Sequence, residues 1–112
     1  MNLSALNQYR VMWIMVFFDL PTETKEDRRR HSQFRKDLLK DGFTMGQLSV
    51  YWRHCASKEN MEVHIERVKH FLQPNGKVCI LHLTDKQFSA MQIFYGKKDK
   101  IAPVGPVQLE MF

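Results

Sequence analysis

Asp19 is the residue best placed to do chemistry in this 112-residue chain. It ends an apolar run that is unbroken from Val11 to Phe18. β-branched and aromatic side chains dominate the run, which favours a strand over a helix. Pro21 cannot donate to a sheet ladder, so the strand must stop near Asp19. A strand apolar on both faces needs cover on both. Asp19 then stands at the exit of a buried central strand, with rigid backbone behind it and solvent ahead. Such a carboxylate suits a metal-binding or catalytic role. It equally suits the start of a turn, since Asp before Leu-Pro is common there.

Hydrolysis of a phosphodiester requires charge to be neutralised on the phosphate and a water to be made nucleophilic. Mg²⁺ can supply both. Mg²⁺ keeps most of its waters and asks for only one or two carboxylates. One Asp19 per chain is too few for a complete site, whereas two copies across a dimer axis meet the minimum. No other acid has an obvious claim to the same place. Asp85 follows the strand Val78–Leu83, whose direction relative to the first strand is open. Ser49 and Tyr51 share the polar phase of a second β region and can hydrogen-bond phosphate or water. His31, His54, His64, His70 and His82 lack metal-ligand spacing with a partner acid and read as structural or surface residues.

A second set of candidates is cationic. Lys25, Arg28, Arg29 and Arg30 fill the first half of a helix expected from Thr24 to Asp41, and Arg35 and Lys36 follow. Three consecutive arginines span most of a helix circumference, so at least one points outward. Two readings compete. Either Glu26, Asp27 and Asp37 partly neutralise a solvated face, or Arg28, Arg29, Arg30 and Arg35 contact phosphates. The formal net charge of +5 and pI of about 9.4 make a polyanion partner plausible without requiring one.

The elements that must position these residues follow in order. Thr24 and Asp27 match a capping box in its Asp form, and Gly42 is the helix stop. From Phe43 to His54 the alternation slips phase at Gly46, which marks a bulge or a break between two short strands. Ser57 caps a second helix with its apolar stripe at Met61, Ile65, Val68 and Leu72, ended by Pro74-Asn75-Gly76. Lys77–Thr84 is the next strand, and Met91–Tyr95 reads as a last one. Two helices interleaved with four core strands form a split βαβ, the ferredoxin-like pattern. The fold class is therefore α+β, a βαββαβ domain over residues 1–96 followed by a tail over 97–112. Both helices should lie on one sheet face. The other face, apolar in the first strand and in Val78–Leu83, would be covered most simply by a second copy, sheet against sheet. No signal peptide or membrane span is evident, and Cys55 and Cys79 lack CxxC spacing. Both read as reduced, half-buried residues of a cytosolic protein.

Several stretches together carry a family resemblance. They are Val16-Phe17-Phe18-Asp19-Leu20-Pro21, the basic first helix, Gly42-Phe43-Thr44-Met45, Gln47-Leu48-Ser49-Val50-Tyr51, Arg53-His54-Cys55, and Gly76-Lys77-Val78 leading into Thr84-Asp85-Lys86-Gln87-Phe88. In order and spacing the chain resembles the small CRISPR-associated adaptation proteins conventionally numbered two (Cas-two). It is most similar to the form found in systems with a single large effector nuclease. The resemblance implies a ferredoxin-like homodimer set between two dimers of the integrase partner (Cas-one). It implies capture of short DNA duplexes and their insertion into the repeat array as new spacers, with the effector nuclease of the same system as a further partner. It also implies metal-dependent endonuclease activity on RNA or duplex DNA, with Mg²⁺ on the strand-exit aspartate, Asp19. By region rather than by motif, it implies phosphate contacts from Arg28, Arg29, Arg30 and Arg35.

The tail end, Gln108-Leu109-Glu110-Met111-Phe112, resembles the short peptide with which repair and replication proteins dock on the sliding clamp. Its alternation equally suits an added C-terminal strand at the sheet edge of the opposite protomer or of the integrase.

Overall fold

The computed structural model describes residues 12–97. Their elements run β1 (Met12–Asp19), α1 (Lys25–Lys40), β2 (Thr44–Gln47), β3 (Val50–Cys55), α2 (Lys58–Phe71), β4 (Lys77–Thr84) and a short α3 (Asp85–Ser89). The four strands form one antiparallel sheet in the order β2-β3-β1-β4. This is the ferredoxin-like arrangement that the element order implies, with β1 in the interior of the sheet. The tail expectations, both strand and clamp peptide, lie outside the described residues apart from Lys97.

Local signals set the helix ends. The Thr24 side chain accepts from the Asp27 backbone, and the Asp27 carboxylate accepts from the Thr24 backbone, completing the box at the head of α1. Gly42 follows the C-cap Asp41 with φ +88°. Glycine is favoured there by conformation, and a Cβ would also have to displace the Arg53 guanidinium. Ser57 caps α2 by accepting from the Asn60 backbone. The buried stripe of α2 is Met61, His64 and Val68, while Leu72 is exposed, so His64 replaces Leu72 among the inward positions. The register shift between β2 and β3 falls at Gly46, the bulge that the phase slip announced.

The two long helices cover one sheet face. Ile14, Val16 and Phe18 point to it and pack with Phe34, Leu38, Tyr51, Met61 and Val68. Trp13, Met15, Phe17 and Asp19 point the other way, because successive strand residues alternate. Their cross-strand neighbours Val50, Trp52, Cys79, Leu81 and Leu83 share that opposite face. It is not bare throughout. A second capping box, Thr84 with Gln87, turns the chain into α3 directly after β4. α3 inserts Phe88, stacked on Trp13 with ring centroids 3.9 Å apart and edge-on to Trp52. The half beyond it stays open, with Phe17 36% and Leu81 47% exposed.

Three further expectations need correcting. Met91–Tyr95 forms no strand within the described residues. Its alternation is real, but a strand also needs an edge to pair with, and α3 has turned the chain away from β4. Tyr51 is not on a polar face, for it is fully buried beneath α1. β3 is covered on both faces, so alternation there does not separate core from solvent. The cysteines are not alike either, since Cys55 is buried and Cys79 exposed.

Candidate functional site

Asp19 stands where β1 leaves the sheet, exposed, on the face opposite the helices. Opposite it in the ladder is Lys77. The exit is held by the neighbouring loops. The Phe18 amide donates to the Ser49 carbonyl at 3.0 Å. Gly76, at φ +97°, lies so close that a Cβ would sit 2.8 Å from the Asp19 carbonyl and 2.6 Å from Leu20. Glycine alone allows the chain to pass there on its way into β4. Beside Leu20 and Pro21 is a cavity of about 10 Å³, also lined by Arg30, His31, Gln73 and Asn75. It has room for about one water. Asp19 does not line this cavity but is itself exposed, so a ligand engaging it lies over the surface.

The Asp19 carboxylate has no hydrogen bond or ion pair among the described residues, and these residues contain no cluster of three or more His, Cys, Asp or Glu side chains able to hold a metal. Asp85 belongs elsewhere. β4 runs antiparallel to β1, which sends Asp85 to the opposite end of the sheet, where it accepts from Trp13 Nε1 at 2.9 Å. Ser49 is exposed at the hairpin beside the strand exit, whereas Tyr51 is not.

The four candidate arginines divide by partner. Arg29 Nε donates to Glu26 Oε2 at 2.9 Å, and Arg30 Nε lies 3.2 Å from Glu26 Oε1. Hydrogen bonding to Arg29, with Coulombic support from both arginines, holds the Glu26 carboxyl below its usual range. Arg28 and Arg35 have no carboxylate partner among the described residues. Arg28 Nη1 donates to the carbonyls of Glu23 at 3.0 Å and Thr22 at 3.2 Å. Arg35 Nε donates to the Tyr51 hydroxyl at 2.8 Å. One acid, Glu26, is thus shared by Arg29 and Arg30, while Arg28 and Arg35 have no carboxylate beside them among the described residues.

A separate polar cluster fastens the layers together. Asp41, at the end of α1, accepts from Arg67 Nη1 at 3.0 Å and lies 2.7 Å from His64 Nδ1, both on α2. Its carbonyl accepts from Arg53 Nη1 of β3 at 2.6 Å, while Arg53 Nε is buried without a partner. Nearby, burial pushes the Cys55 thiol up. Asp41 was legible only as the last residue of a helix. An acid beside helix C-terminal carbonyls is unfavourable unless cations meet it, and that was the available signal.

The sequence model of the family described as "CRISPR associated protein Cas2" matches residues 12–91. The chain belongs to the Cas2 family. Among its curated relatives, a "CRISPR-associated endoribonuclease Cas2" of Flavobacterium psychrophilum is 54% identical over 109 residues, covering 97% of this chain and 95% of that protein. Another protein of the same description, from Parvibaculum lavamentivorans, is 48% identical over 101 residues, 90% of this chain and 100% of its own length. A solved structure titled "Crystal structure of cas2" superposes with a TM-score of 0.54 at 22% identity, over 82% of this chain and 97% of that one. That likeness supports the Cas2 fold. No helix in the described residues is long and apolar enough to cross a membrane.

Proposed function

We propose that this Cas2 protein is an adaptation subunit with endoribonuclease-type activity, working as a homodimer that binds duplex DNA and bridges integrase dimers. The observation that carries the catalytic part is the place of Asp19. It lies on the open half of the sheet face, in line with Phe17 and across from Lys77, on the face that also carries Cys79 and Leu81. A second copy covering that apolar half would bring a second Asp19 to the same edge of the interface. The two carboxylates are hard oxygen donors without thiolate or imidazole beside them, a set that fits Mg²⁺ with most of its waters retained. Mg²⁺ so bound supplies charge neutralisation at the phosphate and a more acidic water. The chain's own part is to hold both carboxylates on rigid strand ends and to lay the polymer's backbone over them.

Replacing Asp19 with Asn tests this reading. Cleavage of a single-stranded RNA by the purified dimer should fall by on the order of a hundredfold, with the melting temperature unchanged. Full cleavage by the variant would remove Asp19 from catalysis. A second reading, in which the dimer is purely architectural, rests on each chain offering a single candidate carboxylate, Asp19, at this edge. The same variant separates the two in cells. Spacer acquisition that persists in cells carrying Asp19→Asn makes the role architectural, whereas acquisition lost with the integrase complex intact makes hydrolysis essential.

DNA binding should be directed at the backbone and indifferent to sequence. The combined replacement of Arg28, Arg29 and Arg30 by Ala should weaken binding equally for unrelated duplexes and flatten its dependence on salt. Equal affinity and equal salt slope in this variant would remove Arg28, Arg29 and Arg30 from the interface.

A further inference from the structure

We propose that Tyr51 is a positioning residue for nucleic-acid binding, fixing Arg35 so that Arg35 and Arg28 form a two-point clamp for the phosphates of a DNA duplex, while Arg29 and Arg30 contribute little. The inference rests on the duplex-binding reading above and says which residues perform it.

Arg28 and Arg35 are seven positions apart, nearly two full helical turns, so they share one stripe of α1 about 10 Å apart along its axis. Each is held at one corner by a neutral acceptor. Arg28 Nη1 is bound to the carbonyls of Thr22 and Glu23, and Arg35 Nε to the Tyr51 hydroxyl. The other guanidinium N–H groups of both residues have no protein acceptor among the described residues. A guanidinium fixed in this way has no carboxylate beside it to offset its charge and presents its remaining donors as a planar fork, the geometry that recognises phosphate. Arg29 and Arg30 differ, because any phosphate must compete with the Glu26 carboxylate they share.

Tyr51 is suited to aim such a group. Its ring is fully buried in the core under α1 and packs near Phe18, so the hydroxyl cannot swing away. A long arginine side chain loses much rotamer freedom on binding a phosphate. The Tyr51 hydroxyl removes part of that freedom beforehand, which is the advantage of preorganisation. The hydroxyl is also the one polar group of a side chain otherwise embedded in apolar neighbours. Phenylalanine would fill the same space, so packing by itself does not call for a tyrosine.

The test uses the full-length protein and a short mixed-sequence DNA duplex, titrated over a range of salt. Arg35→Ala should bind about tenfold more weakly, with the salt slope reduced by about 0.9 for one lost phosphate contact. Tyr51→Phe should weaken binding about three- to tenfold and lower the slope in the same direction, although it removes no charge. In the double variant the loss should not exceed that of Arg35→Ala, since both changes break one contact. Arg29→Ala should bind like the parent protein. Wild-type binding by Tyr51→Phe beside a weakened Arg35→Ala would overturn the positioning role and leave the duplex-binding reading standing. Additive losses would do the same, because they place Tyr51 outside the Arg35 contact. Unchanged binding in Arg35→Ala and in the Arg28/Arg29/Arg30 triple variant would overturn both.

Discussion

Ile14→Asp is expected to leave the chain unfolded, whereas Phe17→Asp leaves it folded and monomeric. Both residues belong to the same strand and differ only in the face they serve. Ile14 has no exposed surface and sits in the middle of the helix-covered core with Phe34, Leu38 and Tyr51. An aspartate there loses the apolar contacts and carries a carboxyl group with no partner. The combined cost is about 5 kcal/mol or more, which is comparable to the whole stability of a domain this size. Phe17 is 36% exposed on the open half of the opposite face. A carboxylate at that position remains in water in one chain and becomes buried only when a second chain covers it. Circular dichroism should show a native spectrum for Phe17→Asp and none for Ile14→Asp. Sedimentation should show Phe17→Asp as a monomer, and a persistent dimer would move the interface away from this face.

The second large effect is expected at Asp41. Its carboxylate is 5% exposed and meets His64, itself 7% exposed, and Arg67, which is 57% exposed. Asp41→Ala leaves the buried His64 Nδ1 without its partner and cuts the tie between the end of α1 and α2. Leaving a buried hydrogen-bonding group without its partner costs about 1–3 kcal/mol. Arg67 can turn to water, so its share is that of a surface pair and small. A net loss of about 2–3 kcal/mol should lower the melting temperature by about 10–20 °C. Asp41→Asn retains an acceptor and should fall between alanine and the parent. A melting temperature within about 2 °C of the parent for Asp41→Ala would show that the cluster contributes nothing net. The prediction also bears on function, because α1 carries the arginines of the proposed DNA face and Asp41 fixes its far end.

How much of this was legible in the sequence follows the range of the interactions involved. Thr24 with Asp27, Ser57 with Asn60, and Gly42 act across a few residues, and each stands at the element boundary its type requires. The break in alternation at Gly46 was likewise visible, because a bulge is a local change of period. The order of those elements then implied the sheet, with Asp19 at the exit of its inner strand. The sequence even contained the box of Thr84 and Gln87, although α3 is too short for a helical period to reveal it.

What only the tertiary structure decided was which residues meet across the chain. Alternation separated Ile14 from Trp13 but could not say which faced the helices, because both are apolar. It misjudged Tyr51, since β3 is covered on one face by α1 and on the other by Phe88 against Trp52. It could not divide the arginines, because charge is a property of type while compensation depends on neighbours. Glu26 is three and four positions from Arg29 and Arg30 and within reach of both, whereas Arg35 finds Tyr51 sixteen positions away on another element. Caps and periods are set by the geometry of one backbone segment, so they can be read from the string of residues. A partner such as Tyr51 for Arg35, or His64 for Asp41, exists only once packing has closed a distance the sequence does not contain.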